Sequence, residues 1–411
     1  MTEKRGILKR IGPGLITAAV VLGPGSIVAS SRAGAESGYN LLWMLALAIL
    51  LMAIYTSMGA RLGCALKASP LQYLAERYGR PLAAVTGLSG FLVATGFQFG
   101  NNIGVSVAAG ALIGGPPWLW PLFFTGLSIL FIIVARRVYT LLEKVMLVLV
   151  AVMLTAFVGN LFFTGFSPTR FAGGLVPKAF EGNEAIIASA MLGTTFSAVA
   201  AFYQAYLVQS KGWTRETVGE AIRDAWLGIA ILGSIAAVIL IGAAETLHGS
   251  GKDVSNVGAL AEQLNGILGR GGHFVFCLGL AAASFSSFIA NAMIGGTLMA
   301  DGLGFGHAID SKAARGWSIA ALAIGCGVAV SILAIGFGST TSLLIAQSAT
   351  LIAAPLCAIL LLLLTSSKAL MGGLRNGVVS MGIGAAGLAV VFFLSGKLFL
   401  SLLMRLSDYV W

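Results

Sequence analysis

Charged residues are scarce in this chain. Only 10% of its 411 residues are charged, whereas 58% are hydrophobic and 55 residues are glycine. A water-soluble domain of this length needs more charge to stay in solution, which excludes a soluble enzyme or binding module. No hydrophilic stretch is long enough for a separate folded domain. The sequence therefore predicts a single transmembrane domain over residues 1–411.

Side chains suited to redox chemistry, catalysis or structural metal binding are also few. The chain has four cysteines and three histidines, and they lie singly beside apolar segments, inside them or in predicted loops. No metal-ligand spacing, disulfide pair or catalytic combination can be assembled from them. We therefore expect no resident metal, no cofactor and no enzymatic activity. The positions are Cys64, Cys277, Cys326, Cys357, His248, His273 and His307.

Apolar segments long enough to cross about 30 Å of hydrocarbon recur along the chain. The first segment, Ile11 to Gly34, lacks a cleavage-site pattern and is interpreted as a retained span. We predict eleven spans, although short turns such as that between 118–135 and 141–166 leave ten or twelve open. The segments are 12–34, 40–63, 82–113, 118–135, 141–166, 184–209, 225–247, 272–300, 317–337, 341–365 and 377–399.

The lysines and arginines predict the orientation. With eleven spans and a cytoplasmic N-terminus, 18 of the 25 basic residues fall on the cytoplasmic side, as the positive-inside rule requires. The net charge of +10 thus reflects topology, and no nucleic-acid partner is indicated because the basic residues are spread over six loops. We expect an integral protein of a prokaryotic plasma membrane whose partners are lipid and a small solute or ion. The sequence does not indicate an oligomeric state.

A glycine-proline motif interrupts the first span near its middle. In a bilayer, an interrupted helix leaves backbone groups unpaired, which is tolerated only where they line a buried or wet cavity. The amides of the helix that starts here point into that cavity, with Ser26 as their predicted cap, and helix N-termini suit an anion or a carboxylate. The sequence therefore predicts a substrate site at Gly23, Pro24, Gly25 and Ser26.

A second interruption is predicted in the sixth span. Gly193 is followed there by the hydroxyl residues Thr194, Thr195 and Ser197. Breaks in spans one and six lie beside each other in an inverted five-plus-five repeat, and the three hydroxyls then contribute to the substrate site. The alternative is that these small residues only allow close helix packing.

Six segments of the chain resemble the Nramp family of divalent-metal transporters. The resemblance covers most of the chain and implies an all-α polytopic membrane protein with the leucine-transporter-like fold. It implies inverted five-helix repeats at approximately 11–166 and 184–365, followed by an eleventh helix at approximately 377–399. The segments are Ile11-Gly12-Pro13-Gly14-Leu15, 33–43, 60–63, 206–210, Ser286-Ser287 and Ala346-Gln347-Ser348.

The same resemblance shows that the metal-binding motifs of the family are replaced. Its Asp-Pro-Gly-Asn in the first helix becomes Gly23 to Ser26, and its Met-Pro-His in the sixth becomes Ser197 to Val199. Its acidic residues in the third helix are replaced by neutral ones between Gln98 and Asn102. A transition metal prefers sulfur and nitrogen ligands, and these are lost. We therefore expect no transition-metal transport by the family's mechanism.

A secondary active transporter that works by alternating access fits these features, with a small organic carboxylate or anion as the predicted substrate. Gln98, Asn101 and Gln347 are further candidate substrate ligands, although buried amides also bond to neighbouring helices. One alternative is a divalent metal cation transporter of altered selectivity. Another is a non-transporting membrane sensor with the same fold.

The coupling ion is predicted to be Na⁺ or H⁺. Ser286 and Ser287 in the eighth span, facing carbonyls of the first break, would form an oxygen-only sodium site. The alternative is that both serines are structural. Few acidic residues lie inside the spans, so the sequence contains no obvious proton relay.

Overall fold

A computed structural model describes residues 12–133, 136–180, 184–309, 311–336 and 340–410. The basic residues Lys4, Arg5, Lys9 and Arg10, which contribute to the predicted orientation, lie outside this range. So does Ile11, the first residue of the motif that resembles the Nramp family.

The described chain is almost entirely helical, as predicted. Short 3₁₀ turns at Arg215–Thr217, Glu262–Leu264 and Gly372–Leu374 connect some of its helices. The helices are α1 Pro13–Val21, α2 Pro24–Ser37, α3 Leu42–Ala65, α4 Pro70–Tyr78, α5 Arg80–Ile113, α6 Leu119–Ile133, α7 Arg136–Thr164, α8 Pro168–Gly174, α9 Glu184–Thr195, α10 Ala198–Ser210, α11 Val218–Thr246, α12 Val257–Ala261, α13 Asn265–Leu268, α14 Gly271–Leu303, α15 Lys312–Ala334, α16 Thr340–Ala353, α17 Pro355–Ser366, α18 Lys368–Met371 and α19 Val378–Val410.

Helices occupy all eleven of the predicted spans. Eight helices of the described chain are long and apolar enough to cross a membrane when α9 and α10 are counted as one, and two bent pairs raise that number to ten. The remaining segment, 118–135, contains α6, an apolar helix of 15 residues. The division into inverted repeats stays a prediction.

Two spans are bent and one is interrupted without a sharp bend. The axes of α1 and α2 differ by 60°, and those of α16 and α17 by 43°. The sixth span, α9 and α10, leaves helical geometry only at Phe196 and Ser197. The bend in the predicted span 341–365 was not predicted from the sequence. It arises because Pro355 has no N–H to continue the hydrogen-bonding pattern of the helix.

The broken spans lie at the centre of the bundle. In the sixth span, 89% of an apolar stretch of 18 residues is buried inside the protein, whereas only 28% of the corresponding stretch is buried in α7 and in α19. The outer helices accordingly expose large apolar side chains such as Phe162 and Phe393, as expected of a lipid-facing surface.

Small residues allow α3 and α10 to pack closely. Gly59 and Gly63 of α3 face Ala201 and Ala205 of α10, the spacing typical of close helix contacts in membranes. A β-carbon added to Gly59 would lie 2.0 Å from the Ala201 carbonyl oxygen, and one on Gly63 would lie 2.6 Å from that of Ala205. The second half of the sixth span is thereby held against α3.

Replacing Gly59 with alanine tests this contact. We expect Gly59→Ala to destabilise the protein by about 1–3 kcal/mol, because its β-carbon overlaps backbone that cannot move away easily. Gly242→Ala is the matched control, since Gly242 is also buried in a spanning helix but has no atom within 4 Å of the new β-carbon. Thermal unfolding of the purified variants in detergent, followed by tryptophan fluorescence, measures the difference. Equal midpoints for the two variants would contradict the packing argument.

Candidate functional site

The first break is produced by the local sequence Leu22-Gly23-Pro24. Pro24 cannot donate a backbone hydrogen bond, and it disfavours helical geometry at the residue before it, so Gly23 is extended with φ −100° and ψ −173°. The α1 helix ends where the Leu22 amide donates to the Ala18 carbonyl. Pro24 then occupies the first position of α2, where a missing N–H costs nothing.

Ser26 joins the two halves of the broken span. Its hydroxyl donates to the Val21 carbonyl at 2.9 Å, across the break. The prediction that Ser26 caps the amides of α2 is therefore wrong. Ser26 lies inside the first turn of α2, whereas a capping side chain must come from the residue before the helix, which here is Gly23.

Gly23 lies against two buried polar side chains from other spans. A β-carbon on Gly23 would be 3.2 Å from Ser287 Oγ and 3.8 Å from Asn101 Oδ1. Both side chains are about 1% exposed. Ser287 Oγ and Asn101 Nδ2 have no hydrogen-bond partner in the described parts of the chain. The first break, α5 and α14 thus meet at one polar position.

Gln347 occupies the space that three glycines leave. Its side-chain amide would lie 2.5 Å from a β-carbon on Gly25 and 2.2 Å from one on Gly100. The backbone carbonyl oxygen of Gln347 would lie 2.6 Å from a β-carbon on Gly193, and this oxygen accepts a hydrogen bond from the Thr350 hydroxyl. Gln347 therefore contacts the first break, α5 and the end of α9. Its Oε1 atom has no partner among the residues that the structure covers.

The hydroxyls of the sixth span take different places. Ser197 caps α10, because its Oγ accepts from the Ala200 amide at 3.2 Å. Thr194 donates within its own helix to the Met191 carbonyl at 3.2 Å, whereas Thr195 is the buried last residue of α9. Gly193 beside them packs on the backbone of Gln347.

Two other predicted residues use their polar groups in helix packing. Gln98 donates from Nε2 to the Phe288 carbonyl, and its side chain lies beside Gly325. Ser286 donates to the Ala283 carbonyl of its own helix at 3.0 Å. Adjacent helix residues point about 100° apart, so Ser286 and Ser287 cannot face the same position.

Asn291 is a buried polar residue that the sequence analysis missed. It lines a cavity of about 10 Å³ together with Ser197, Phe97 of α5 and Ile294. A signal was present in the sequence, because Asn291 follows Ser287 by four residues and therefore lies on the same face of α14. The cavity places Asn291 beside the break in the sixth span.

The site is neutral. The described residues contain no group of three or more histidine, cysteine, aspartate or glutamate side chains that would hold a metal ion. Two aspartates lie towards helix ends: the half-buried Asp224 accepts from the Gly14 amide at 2.6 Å, and the buried Asp301 accepts from the Tyr206 hydroxyl at 2.7 Å. The buried Arg32 of α2 pairs with Glu36 on the same helix. The described polar groups beside the first break, Ser287, Asn101 and Gln347, are all neutral.

Charged residues also connect helix ends to each other. Between α2 and α3, Tyr39 donates to a Glu245 carboxylate oxygen, whose second oxygen binds Arg170 at 2.8 Å. Burial and the Glu245 carboxylate raise the pKa of Tyr39 to about 12. This hydroxyl therefore stays protonated, and remains a donor, throughout the physiological range.

Known proteins resemble the chain over almost its whole length. A family model described as natural resistance-associated macrophage protein-like matches residues 14–401. The divalent metal cation transporter MntH of Mycobacterium tuberculosis strain H37Rv is 28% identical over 386 residues, covering 91% of this chain and 87% of that protein. MntH of Bacillus subtilis strain 168 is 26% identical over 402 residues, covering 95% and 92%.

Solved structures share the fold. A manganese transporter of Eremococcus coleocola superposes with a TM-score of 0.77 at 19% identity, covering 96% of this chain and 87% of that one. MhsT in complex with L-phenylalanine has a TM-score of 0.60 at 15% identity, covering 94% and 98%. The predicted leucine-transporter-like architecture is confirmed. The chain belongs to the Nramp (natural resistance-associated macrophage protein) family and is a secondary transporter of that type.

Proposed function

We propose that this chain transports a hard divalent cation, with Mg²⁺ and Mn²⁺ as the leading candidates. The observation that carries the proposal is the pair of buried oxygens at the first break, Ser287 Oγ and Gln347 Oε1. Neither has a hydrogen-bond partner in the described structure. Ser287 Oγ lies against Gly23, and the side chain that carries Gln347 Oε1 lies against Gly25. A buried polar atom without a partner costs free energy, and coordination of a cation offsets that cost.

The chemistry of the site supports a hard cation rather than a soft one. Carbonyl, amide and hydroxyl oxygens and water suit Mg²⁺, Ca²⁺ and Mn²⁺, whereas thioether and imidazole favour softer metals. At the break in the sixth span, Ser197, Ala198 and Val199 supply neither sulfur nor imidazole. Mg²⁺ gives up its water reluctantly and keeps part of its shell in many protein sites, so a neutral site is less costly for it.

A carboxylate substrate, the leading prediction from sequence, has less support. The relatives with similar sequences are named divalent metal cation transporters, which favours the alternative prediction. The expected cap of the α2 amides is also absent, because the Ser26 hydroxyl donates to the Val21 carbonyl. The bacterial relatives support a place in a prokaryotic plasma membrane.

Coupling to Na⁺ remains a proposal, and of the two predicted serine ligands only Ser287 still supports it. Ser287 lies beside Gly23, as an oxygen-only sodium site requires, but Ser286 bonds within its own helix. The Ser287 oxygen can therefore serve the cargo or Na⁺, and transport assays with and without external Na⁺ separate the two roles.

Uptake into proteoliposomes tests the proposed substrate. With an imposed membrane potential, we expect saturable Mn²⁺ uptake that excess Mg²⁺ inhibits and that excess Cd²⁺ inhibits at least about tenfold less well, because Cd²⁺ prefers softer ligands. Liposomes without protein and a metal-transporting relative are the controls. Saturable uptake of a radiolabelled small carboxylate, without any Mn²⁺ or Mg²⁺ uptake by folded protein, would refute the proposal.

A methyl group at Gly23 tests the position of the site. Gly23→Ala fits the observed backbone, but its β-carbon lies 3.2 Å from Ser287 Oγ, in the space that a cation needs. We expect Mn²⁺ uptake to fall by about tenfold with little change in thermal stability. Gly110→Ala is the control, because no atom lies within 4 Å of its new β-carbon. Equal uptake by both variants would place the cargo elsewhere.

Substitutions of Ser286 and Ser287 test whether only the serine that faces the first break binds the cation. We expect Ser287→Ala to raise the KM for Mn²⁺ by about tenfold, through loss of one oxygen ligand. Ser286→Ala should leave the KM within about twofold, because its hydroxyl binds only the Ala283 carbonyl. Initial uptake rates over a range of Mn²⁺ concentrations measure both. Equal effects of the two substitutions would mean that the serines act as a pair.

A further inference from the structure

A second polar position lies one helical turn from the first. On α14, Asn291 follows Ser287 by four residues, and on α5, Phe97 precedes Asn101 by four residues. Four residues advance an α-helix by about 6 Å and return to the same face. The α5 and α14 helices run side by side in an extensive interface. Each helix therefore contributes one residue to the first polar position and one to the second. Ser287 and Asn101 lie at the first break, and Asn291 and Phe97 lie at the sixth-span break.

Asn291 is a nearly buried amide that lines a cavity. It is 7% exposed. The cavity has a volume of about 10 Å³ and lies beside Ser197. That volume is close to the minimum that holds one water molecule. An amide next to such a cavity can bind water there through its oxygen or its nitrogen.

We propose that Asn291 is a specificity-determining residue that binds the water shell of the transported cation, together with Ser197. This inference rests on the proposed transport of a hard divalent cation. An amide both donates and accepts, so it can bind a water molecule in either orientation. A carbon side chain here would force the cation to lose that water. Cations that keep their water most strongly, such as Mg²⁺, depend most on Asn291.

The opposite face of α14 provides a control position. Ser318 of α15 lies against Gly296, nine residues after Ser287, which places it about half a turn around the helix from the site. Its hydroxyl donates to the Ala314 carbonyl of its own helix. Ser318→Ala therefore perturbs the packing of α14 without changing the cavity.

The test compares Asn291→Leu and Asn291→Asp in proteoliposomes, with Mg²⁺ and Mn²⁺ as the transported probes. Leucine is similar in size to asparagine but cannot bind water, so we expect the KM for Mg²⁺ to rise about tenfold and that for Mn²⁺ by much less. Burial raises the pKa of a carboxyl group, so the aspartate of Asn291→Asp should gain charge as pH rises from 6 to 8. Because the ionised carboxylate attracts cations, we expect the KM for both cations to fall over that range. Ser318→Ala should match the unmodified protein.

A structural role for Asn291 predicts a different pattern. It would lower the transport of both cations equally in the leucine variant and give no pH-dependent gain in the aspartate variant. That result, with normal cation uptake by the unmodified protein, would overturn the inference and leave the proposed function intact. Absence of Mg²⁺ and Mn²⁺ uptake by the unmodified protein would instead overturn the proposed function. If Asn291→Leu does not fold, the pH response of Asn291→Asp decides alone.

Discussion

The constraint on which this structure depends is that backbone groups inside a membrane must find partners. Helix α1 ends at Val21 and α2 begins at Pro24, in the middle of an apolar span, which leaves backbone groups without partners inside the helix. One is satisfied locally, since the Ser26 hydroxyl donates to the Val21 carbonyl. The remaining polarity at the break is matched by Ser287 and Asn101, which come from helices far away in the chain. The break therefore creates the site, and the surrounding bundle holds it.

Glycines determine how closely the bundle can approach that break. Gln347 reaches the first break because Gly25 and Gly100 have no side chains, and Gly193 lets α9 contact the Gln347 backbone. Larger residues at these positions would push α16, which carries Gln347, away from the first and sixth spans. The glycines thus have a direct structural role, because they bring neutral amides and hydroxyls of the described chain together at the break.

Much of the fold could be predicted from the sequence, whereas the site could be predicted only in part. Apolar length gave the eleven segments, and Gly23-Pro24 marked the first break because both residues act on the local backbone. The bend at Pro355 was missed, although the same physics applies there. The sequence did not indicate which way a side chain points. Ser286 and Ser287 are adjacent and identical in type, yet only Ser287 faces Gly23. Asn291 was missed because its importance depends on the distant Ser197.

The most direct test of this account is the position of bound Mn²⁺ in a crystal of the protein, located from its anomalous X-ray scattering. The account predicts one strong peak at the first break, within coordination distance of Ser287 Oγ and beside Gly23, with coordinated water on the side that faces Asn291. A peak only among the acidic residues near the helix ends, with no cation at the break, would contradict it.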